Sequence, residues 1–170
     1  MIKAILAVGA NGELGCSSTE SGLPWDKNPE DMKYFRDQTL GKVVVYGGNT
    51  FRQFQKMGME NGLPKRFNYV VTSQGRGQQD GGYVKVDFDT LKGCIISGDS
   101  VFNYKDTFII GGKSVYNQLH PYCEEVHLTR IKKAFPDADV KINLDWLCDF
   151  DIISTTKLNE YSEVEVWRRR

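Results

Sequence analysis

The feature that most constrains this chain is an alternation. Short runs rich in β-branched and aromatic residues recur along its 170 residues, with helical patterns between them. Strands are expected at 2–8, 42–46, 67–72, 83–86, 107–110, 126–131, 152–157 and 164–167, and helices at 29–40, 50–57, 88–96 and 114–119. Strands interleaved with helices need crossover connections, which imply a largely parallel sheet covered on both faces. From residue 126 the rhythm changes, because no clear helical pattern separates the last two runs. The expected fold is therefore α/β. It is a single domain over residues 1–170, with a central, mostly parallel eight-stranded sheet, an antiparallel C-terminal edge and about four flanking helices.

Composition narrows the class. A chain that is 40% hydrophobic and 12% aromatic can bury a sizeable core. Lys+Arg and Asp+Glu both number 22, so there is none of the basic excess that a nucleic-acid or anionic-membrane binder would show. Arg168, Arg169 and Arg170 read as a solvated tail. The apolar start at 2–8 is too short for a signal-peptide core, and no transmembrane-length run follows, so a cytoplasmic protein is expected. Cys16, Cys94, Cys123 and Cys148 are scattered and read as buried or half-buried thiols. Neither His120 nor His127 stands at metal-ligand spacing, and no metal is expected. The stretch from Ser73 to Gly82 reads as a surface loop, and 12–22 as a second long loop directly after the first strand, where such sheets place a ligand crevice.

Two segments share one grammar. VVVYGGNTF (43–51) and TFIIGGKSVY (107–116) each run from an apolar strand through two glycines to Thr or Ser opening a helix. Residues without Cβ let a ligand approach the backbone, and a helix start offers unpaired N–H groups and a positive dipole end. Two such turns on one sheet could hold the two ends of a diphosphate. They could equally be ordinary strand-to-helix turns with Thr50 and Ser114 as N-caps. Gly112-Lys113-Ser114 imitates the end of a P-loop, but Thr107 stands where its first glycine belongs.

The segment LPWDKNPEDMKYF (23–35) opens a helix, with Asn28 able to cap it and Pro29 suited to its first position. At about 100° per residue, Asp31 and Phe35 fall about 40° apart, with Met32 and Thr39 beyond, while Lys33, Arg36 and Asp37 lie opposite. Asp31 thus borders the apolar stripe. A carboxylate there loses hydration and gains proton affinity, so it could relay a proton or grip a pair of parallel N–H donors. It could also simply satisfy helix N–H groups.

Taken together, these segments resemble the dihydrofolate reductase family, through nearly the whole chain and in the family's order. The matching segments are 2–8 with Leu14-Gly15; Leu23-Pro24-Trp25; Pro29-Glu30-Asp31-Met32-Lys33-Tyr34-Phe35; the K-x-V-x-x-G-x-x-T pattern over 42–50; Leu63-Pro64-Lys65-Arg66; Ile110-Gly111-Gly112; and Leu128-Thr129-Arg130-Ile131. The resemblance implies a monomeric enzyme that moves hydride from NADPH to C6 of 7,8-dihydrofolate, with protonation at N5. It implies that Asp31 grips the pterin and promotes N5 protonation, that Thr129 hydrogen-bonds to that carboxylate, and that Trp25 helps order a nearby water. Ile5 and Ile110 would offer carbonyls, Ala7, Met32 and Phe35 would line the pocket, and Arg66 would bind the carboxylate of the substrate's glutamate tail. Toward the cofactor it implies Ala7, Leu14, Gly47, Gly48, Asn49, Thr50, Ser73, Gly111, Gly112, Lys113, Ser114, Val115 and Tyr116, with a cis bond between Gly111 and Gly112.

Two positions depart from the family pattern. Gly48 stands where the family has a basic residue, and Ser114 where it often has arginine. Ser73, Arg76 and Lys113 are the available substitutes, with Arg76 expected to contribute most, and the choice between NADPH and NADH stays open. A pterin-like or pyrimidine reductase of the same fold would keep the glycine turns without needing Arg66 or Asp31. A folate- or dinucleotide-binding module without catalysis would not need Asp31 and Thr129 together.

Overall fold

The alternation resolves into strands where Val, Ile and aromatic residues gather, with glycine, proline and Asx residues marking the turns. The computed structural model describes residues 1–73, 79–98 and 101–170. In chain order these form β1 (Ile2–Val8), β2 (Glu13–Gly15), α1 (Pro29–Thr39), β3 (Val43–Gly47), α2 (Gly48–Lys56), β4 (Phe67–Val71), β5 (Gln79–Asp80) and β6 (Tyr83–Val86). There follow α3 (Phe88–Ser97), α4 (Val101–Tyr104), β7 (Thr107–Gly111), α5 (Lys113–Leu119), β8 (Glu125–Ile131), β9 (Val140–Lys141), β10 (Phe150–Asn159) and β11 (Ser162–Arg169).

Contacts divide the chain into two units, Met1–Lys3 with Thr39–Cys123, and Ala4–Gln38 with Glu124–Arg170. In the first, the strands run in the order β7-β3-β4-β6-β5. β3 pairs in parallel with both β4 and β7, β4 pairs in parallel with β6, and only β5 runs antiparallel, against β6. Val43 to Tyr46 are all fully buried, as befits a central parallel strand covered on both faces. At its end the Tyr46 hydroxyl donates to Asn68 Oδ1 at 2.7 Å, so the buried phenol is satisfied.

The second unit carries the antiparallel part. β11 pairs antiparallel with both β10 and β8, and β2 pairs with β9 in a separate two-stranded ribbon. α1 begins at Pro29, and Asn28 Oδ1 accepts the Asp31 backbone N–H at 3.3 Å. Asn28 is itself buried, with its amide donating to Ser162 Oγ and its oxygen accepting from Asn159 Nδ2.

All eight expected strands are present, as are the antiparallel C-terminal pairing and the four expected helices. Several boundaries move. α2 and α5 begin at Gly48 and Lys113, before Thr50 and Ser114, because Gly47 and Gly112 hold the N-cap positions with no side-chain cap bond. Thr50 and Ser114 are therefore not N-caps. β2, β5, β9 and α4 were not expected, since elements of two to four residues show no period. β2 takes up part of the long loop expected over 12–22, and its partner β9 lies more than a hundred residues away in sequence. Cys148 is exposed rather than half-buried, because it sits in the short 3-10 turn Asp145–Asp149 at the surface. Among the described residues no helix is long and apolar enough to cross a membrane.

Candidate active site

In the second unit, Asp31 stands in the first turn of α1, half-buried. The Thr129 hydroxyl of β8 donates to its Oδ1 at 2.7 Å. Burial pushes the Asp31 carboxyl above the usual carboxylate range, and the Thr129 hydrogen bond offsets only part of that shift. The N-cap duty belongs to Asn28, so Asp31's oxygens are not spent on the helix start. Phe35 is half-buried one turn further along, while Met32, expected beside the apolar stripe, is 56% exposed. Trp25 packs its ring against Phe135 at 5.6 Å between centroids. Ile5 is buried on β1, Ala7 is half-buried on the same strand, and Leu14 is half-buried on β2.

The first unit brings the two glycine turns together. β3 and β7 are neighbours whose register pairs Tyr46 with Gly111, so both glycine pairs lie at the same end of adjacent parallel strands. Gly111 has φ +139, a conformation that L side chains rarely adopt, and its bond to Gly112 is cis. A Cβ on Gly111 would stand 3.5 Å from Thr50 Oγ1 and 3.7 Å from the Tyr116 hydroxyl, and one on Gly47 only 3.2 Å from Val115 Cγ2. Neither α2 nor α5 has an acidic residue in its first turn or a side-chain cap. The result is a backbone-lined cradle with Thr50's hydroxyl beside it and two helix starts aimed into it. Free backbone N–H groups and a positive dipole end at such turns favour a negatively charged group. Burial pushes the Tyr116 phenol far up, so it stays neutral.

Other expected residues lie elsewhere in this unit. Arg66 is oriented by its neighbours, with Nε donating to Thr39 Oγ1 at 3.2 Å and Nη1 to the Pro64 carbonyl at 2.8 Å. Ser73 lines a cleft with Val71, Thr72, Asp87 and Phe88, and Asp87 also caps α3 through the Thr90 N–H. Ile110 is half-buried on β7, and Asn49, Lys113 and Ser114 are exposed. Arg76 lies outside the described residues.

Several residues at these sites carried no separate signal in the sequence. Arg52 folds back along α2 to hydrogen-bond Asn49 Oδ1, with Nη1 3.4 Å from where a Gly48 Cβ would stand. A cation is thus present at the α2 start although position 48 has no side chain, and the i, i+4 spacing of Gly48 and Arg52 was the available clue. Glu13 is buried on β2 and accepts the backbone N–H groups of Asn11 and Phe135. Burial would raise its proton affinity, but those bonds outweigh it and hold the carboxyl below its ordinary value. Glu125 and His127 stand on β8 on the same face as Thr129, and Tyr34 on α1 is hydrogen-bonded to His127 Nδ1.

Comparison with known proteins agrees with this geometry. A family model described as dihydrofolate reductase matches residues 1–166. Dihydrofolate reductase type 9 from Escherichia coli is 26% identical over 98% of this chain and 92% of that protein. The dihydrofolate reductase of Bacillus subtilis is 32% identical over 79% of this chain and 71% of that one. Among solved structures, dihydrofolate reductase from Enterococcus faecalis, complexed with NADP(H) and RAB-propyl, superposes with a TM-score of 0.80 at 28% identity, covering 100% of this chain and 96% of that one. A match this long, in family and in fold, leaves one assignment: the chain belongs to the dihydrofolate reductase family.

Proposed function

We propose that the chain reduces 7,8-dihydrofolate to tetrahydrofolate with NADPH, and that Asp31 anchors the substrate and promotes protonation at N5. The observation that carries this reading is the Thr129–Asp31 hydrogen bond on a carboxyl whose proton affinity is raised by burial. Glu13, by contrast, is tuned downward by backbone donors that Asp31 lacks in number.

Bound NADPH would supply the hydride for C6 of the substrate. The remaining work falls to the chain. Asp31 presents two oxygens to the 2-amino and N3 positions of the pterin, which match a carboxylate in geometry. Its raised proton affinity favours proton delivery to N5, with a water as the final donor and Trp25 helping to order that water. Ile5 and Ile110 offer backbone carbonyls, and Ala7, Met32 and Phe35 line the substrate's surroundings. Arg66, already oriented through Thr39 and Pro64, presents its fork to the carboxylate of the glutamate tail. The glycine turns, Thr50 and residues 113–116 would hold the cofactor's pyrophosphate, with Gly48 and Asn49 at the α2 start, and Tyr116, Leu14 and Ser73 would supply further contacts. Arg52 supplies the cation that Gly48 lacks, which supports NADPH as the cofactor. On this reading one chain, residues 1–170, is the working domain, acting on small molecules in the cytoplasm as a monomer.

The test follows NADPH oxidation with dihydrofolate in the wild type and in Asp31→Asn. Wild-type turnover, lost on the order of 100-fold or more in the variant at neutral pH and partly recovered at low pH, is the expected result. Full activity of Asp31→Asn would remove the assigned role. Binding of both ligands without any wild-type turnover would overturn the reductase reading.

A further inference from the structure

Alternate residues share one face of a strand, so β8 presents Glu125, His127 and Thr129 as a single row. All three are buried, at 6%, 6% and 2% exposure, which is unusual for a polar row on a strand. The row meets α1 at two rungs. Thr129 donates to Asp31 Oδ1 at 2.7 Å, and His127 Nδ1 is hydrogen-bonded to the Tyr34 hydroxyl. Asp31 and Tyr34 lie about 4.5 Å apart in helical rise, and Thr129 and His127 about 6.8 Å apart along the strand, so the rungs can form side by side.

The second rung continues away from the helix. His127 Nε2 lies 2.9 Å from Glu125 Oε2, and Arg168 Nη2 of β11 donates to Glu125 Oε1 at 3.0 Å. Facing the carboxylate, Nε2 must carry its proton and donate, which leaves Nδ1 to accept from Tyr34 in the neutral imidazole. The Tyr34 hydroxyl keeps its proton to do so, since burial, Glu125 and Asp31 push it up to about 12. Among the described residues, charged and titratable groups joined to this row include Asp31 and Tyr34 from α1, Glu125 on β8 itself and Arg168 from β11.

We propose that His127 is a positioning residue for the reductase: with Thr129 it fixes the rotation of α1 on β8, and through Tyr34 it aims the Asp31 carboxylate. The inference rests on the role given to Asp31 above. A helix held by one rung can turn about it, whereas two rungs one turn apart hold its rotation. A turn of about 10° moves a side-chain tip at a radius of about 5–6 Å by about 1 Å. Misplacement of that size costs on the order of 100-fold in rate when it reaches the reacting geometry. Arg168 and Glu125 anchor the far end, so the strut does not depend on α1 for its own place.

The experiment measures kcat and KM against pH, with NADPH and dihydrofolate, for wild type, Tyr34→Phe, His127→Phe and the double variant. Tyr34→Phe removes one hydroxyl and keeps the ring, so it remains informative if His127→Phe folds poorly. Tyr34→Phe is expected to lower kcat about 3- to 10-fold, the worth of one buried hydrogen bond, to displace the pH midpoint of kcat, and to leave KM for NADPH unchanged. The double variant is expected to be no slower than His127→Phe alone, because the two residues act as one strut. A wild-type kcat and pH midpoint in Tyr34→Phe, or independent losses that multiply in the double variant, would overturn the proposal. Absence of turnover in the wild type would instead refute the reductase reading beneath it.

Discussion

At the end of β7, Gly111 offers a ligand nothing but backbone. On α1, Asp31 offers a charged side chain steadied by Thr129. The two regions, proposed as the cofactor and substrate contacts, are built in opposite ways. The cradle of the first unit works by omission: no Cβ at positions 47, 48, 111 and 112, no acidic residue in the first turn of α2 or α5, and no side-chain cap on either. The β8 face of the second unit works by addition, packing Glu125, His127 and Thr129 where apolar residues would be the cheaper choice. A surface of the first kind is damaged by adding atoms, and one of the second kind by removing or neutralising them.

The largest expected effect tests the addition. Asp31→Asn should lower kcat by on the order of 100-fold or more at neutral pH. It should also stabilise the fold. A carboxyl whose proton affinity is raised in the folded state contributes stability below its unfolded pKa and loses it as pH rises through the folded pKa, so the ionised form strains the native state. Asparagine keeps an oxygen for Thr129 without the charge. A melting temperature raised by about 2–4 °C at pH 7, with the difference shrinking in acid, is the expected outcome, and a lowered one would break the comparison.

Gly111→Ala tests the omission. A Cβ at φ +139 costs roughly 1–3 kcal/mol, and it would stand beside Thr50 Oγ1 and the Tyr116 hydroxyl. NADPH affinity, read by titration, should fall about tenfold or more, with melting temperature also reduced. Unchanged affinity would show that the cradle is not where the cofactor rests. Arg66→Lys sharpens the contrast, because the role proposed for Arg66 is a side-chain contact in the unit that also holds the backbone-lined glycine turns. Losing its fork should raise KM for dihydrofolate about 5- to 10-fold while kcat stays within about twofold.

The smallest effect separates two kinds of buried carboxylate. Glu13 is held below its ordinary pKa by backbone donors, so it contributes stability above that value and loses it as pH falls through the folded pKa, the reverse of Asp31. Glu13→Gln should cost about 1–2 kcal/mol at pH 7 and progressively less toward pH 3, measured by urea unfolding. A cost that does not shrink in acid would show that Glu13 acts through shape rather than charge.

Much of the fold was legible because it is local. The run VVVY followed by Gly-Gly states a central strand and a tight turn within six residues, and Asn28-Pro29 states a helix start within two. The short pairings were not legible. β2 needs β9 as its partner, and three residues carry no period of their own. On β8 the order Glu-Val-His-Leu-Thr is an ordinary alternation whose polar half carries no local sign of burial. The structure buries that half because α1, 98 residues earlier at Asp31, lies over it. Arg52 was likewise hidden, since only the helical fold-back shows that it fills the space Gly48 leaves.

From the sequence alone follow the α/β class, the paired glycine turns, the family and the one carboxylate set against an apolar stripe. The class, the turns and the carboxylate rest on residues a few positions apart, whose spacing is written in the chain, and the family on a resemblance of ordered segments along it. The resemblance implied the Thr129 contact, but only the tertiary structure decided the burial of that carboxylate and the Tyr34–His127 contact beside it. Burial and hydrogen bonding depend on which distant side chains arrive at the same place, and no local pattern records that Thr129 and His127 meet Asp31 and Tyr34. Asp31's raised proton affinity, and the strut that aims it, belong to that meeting.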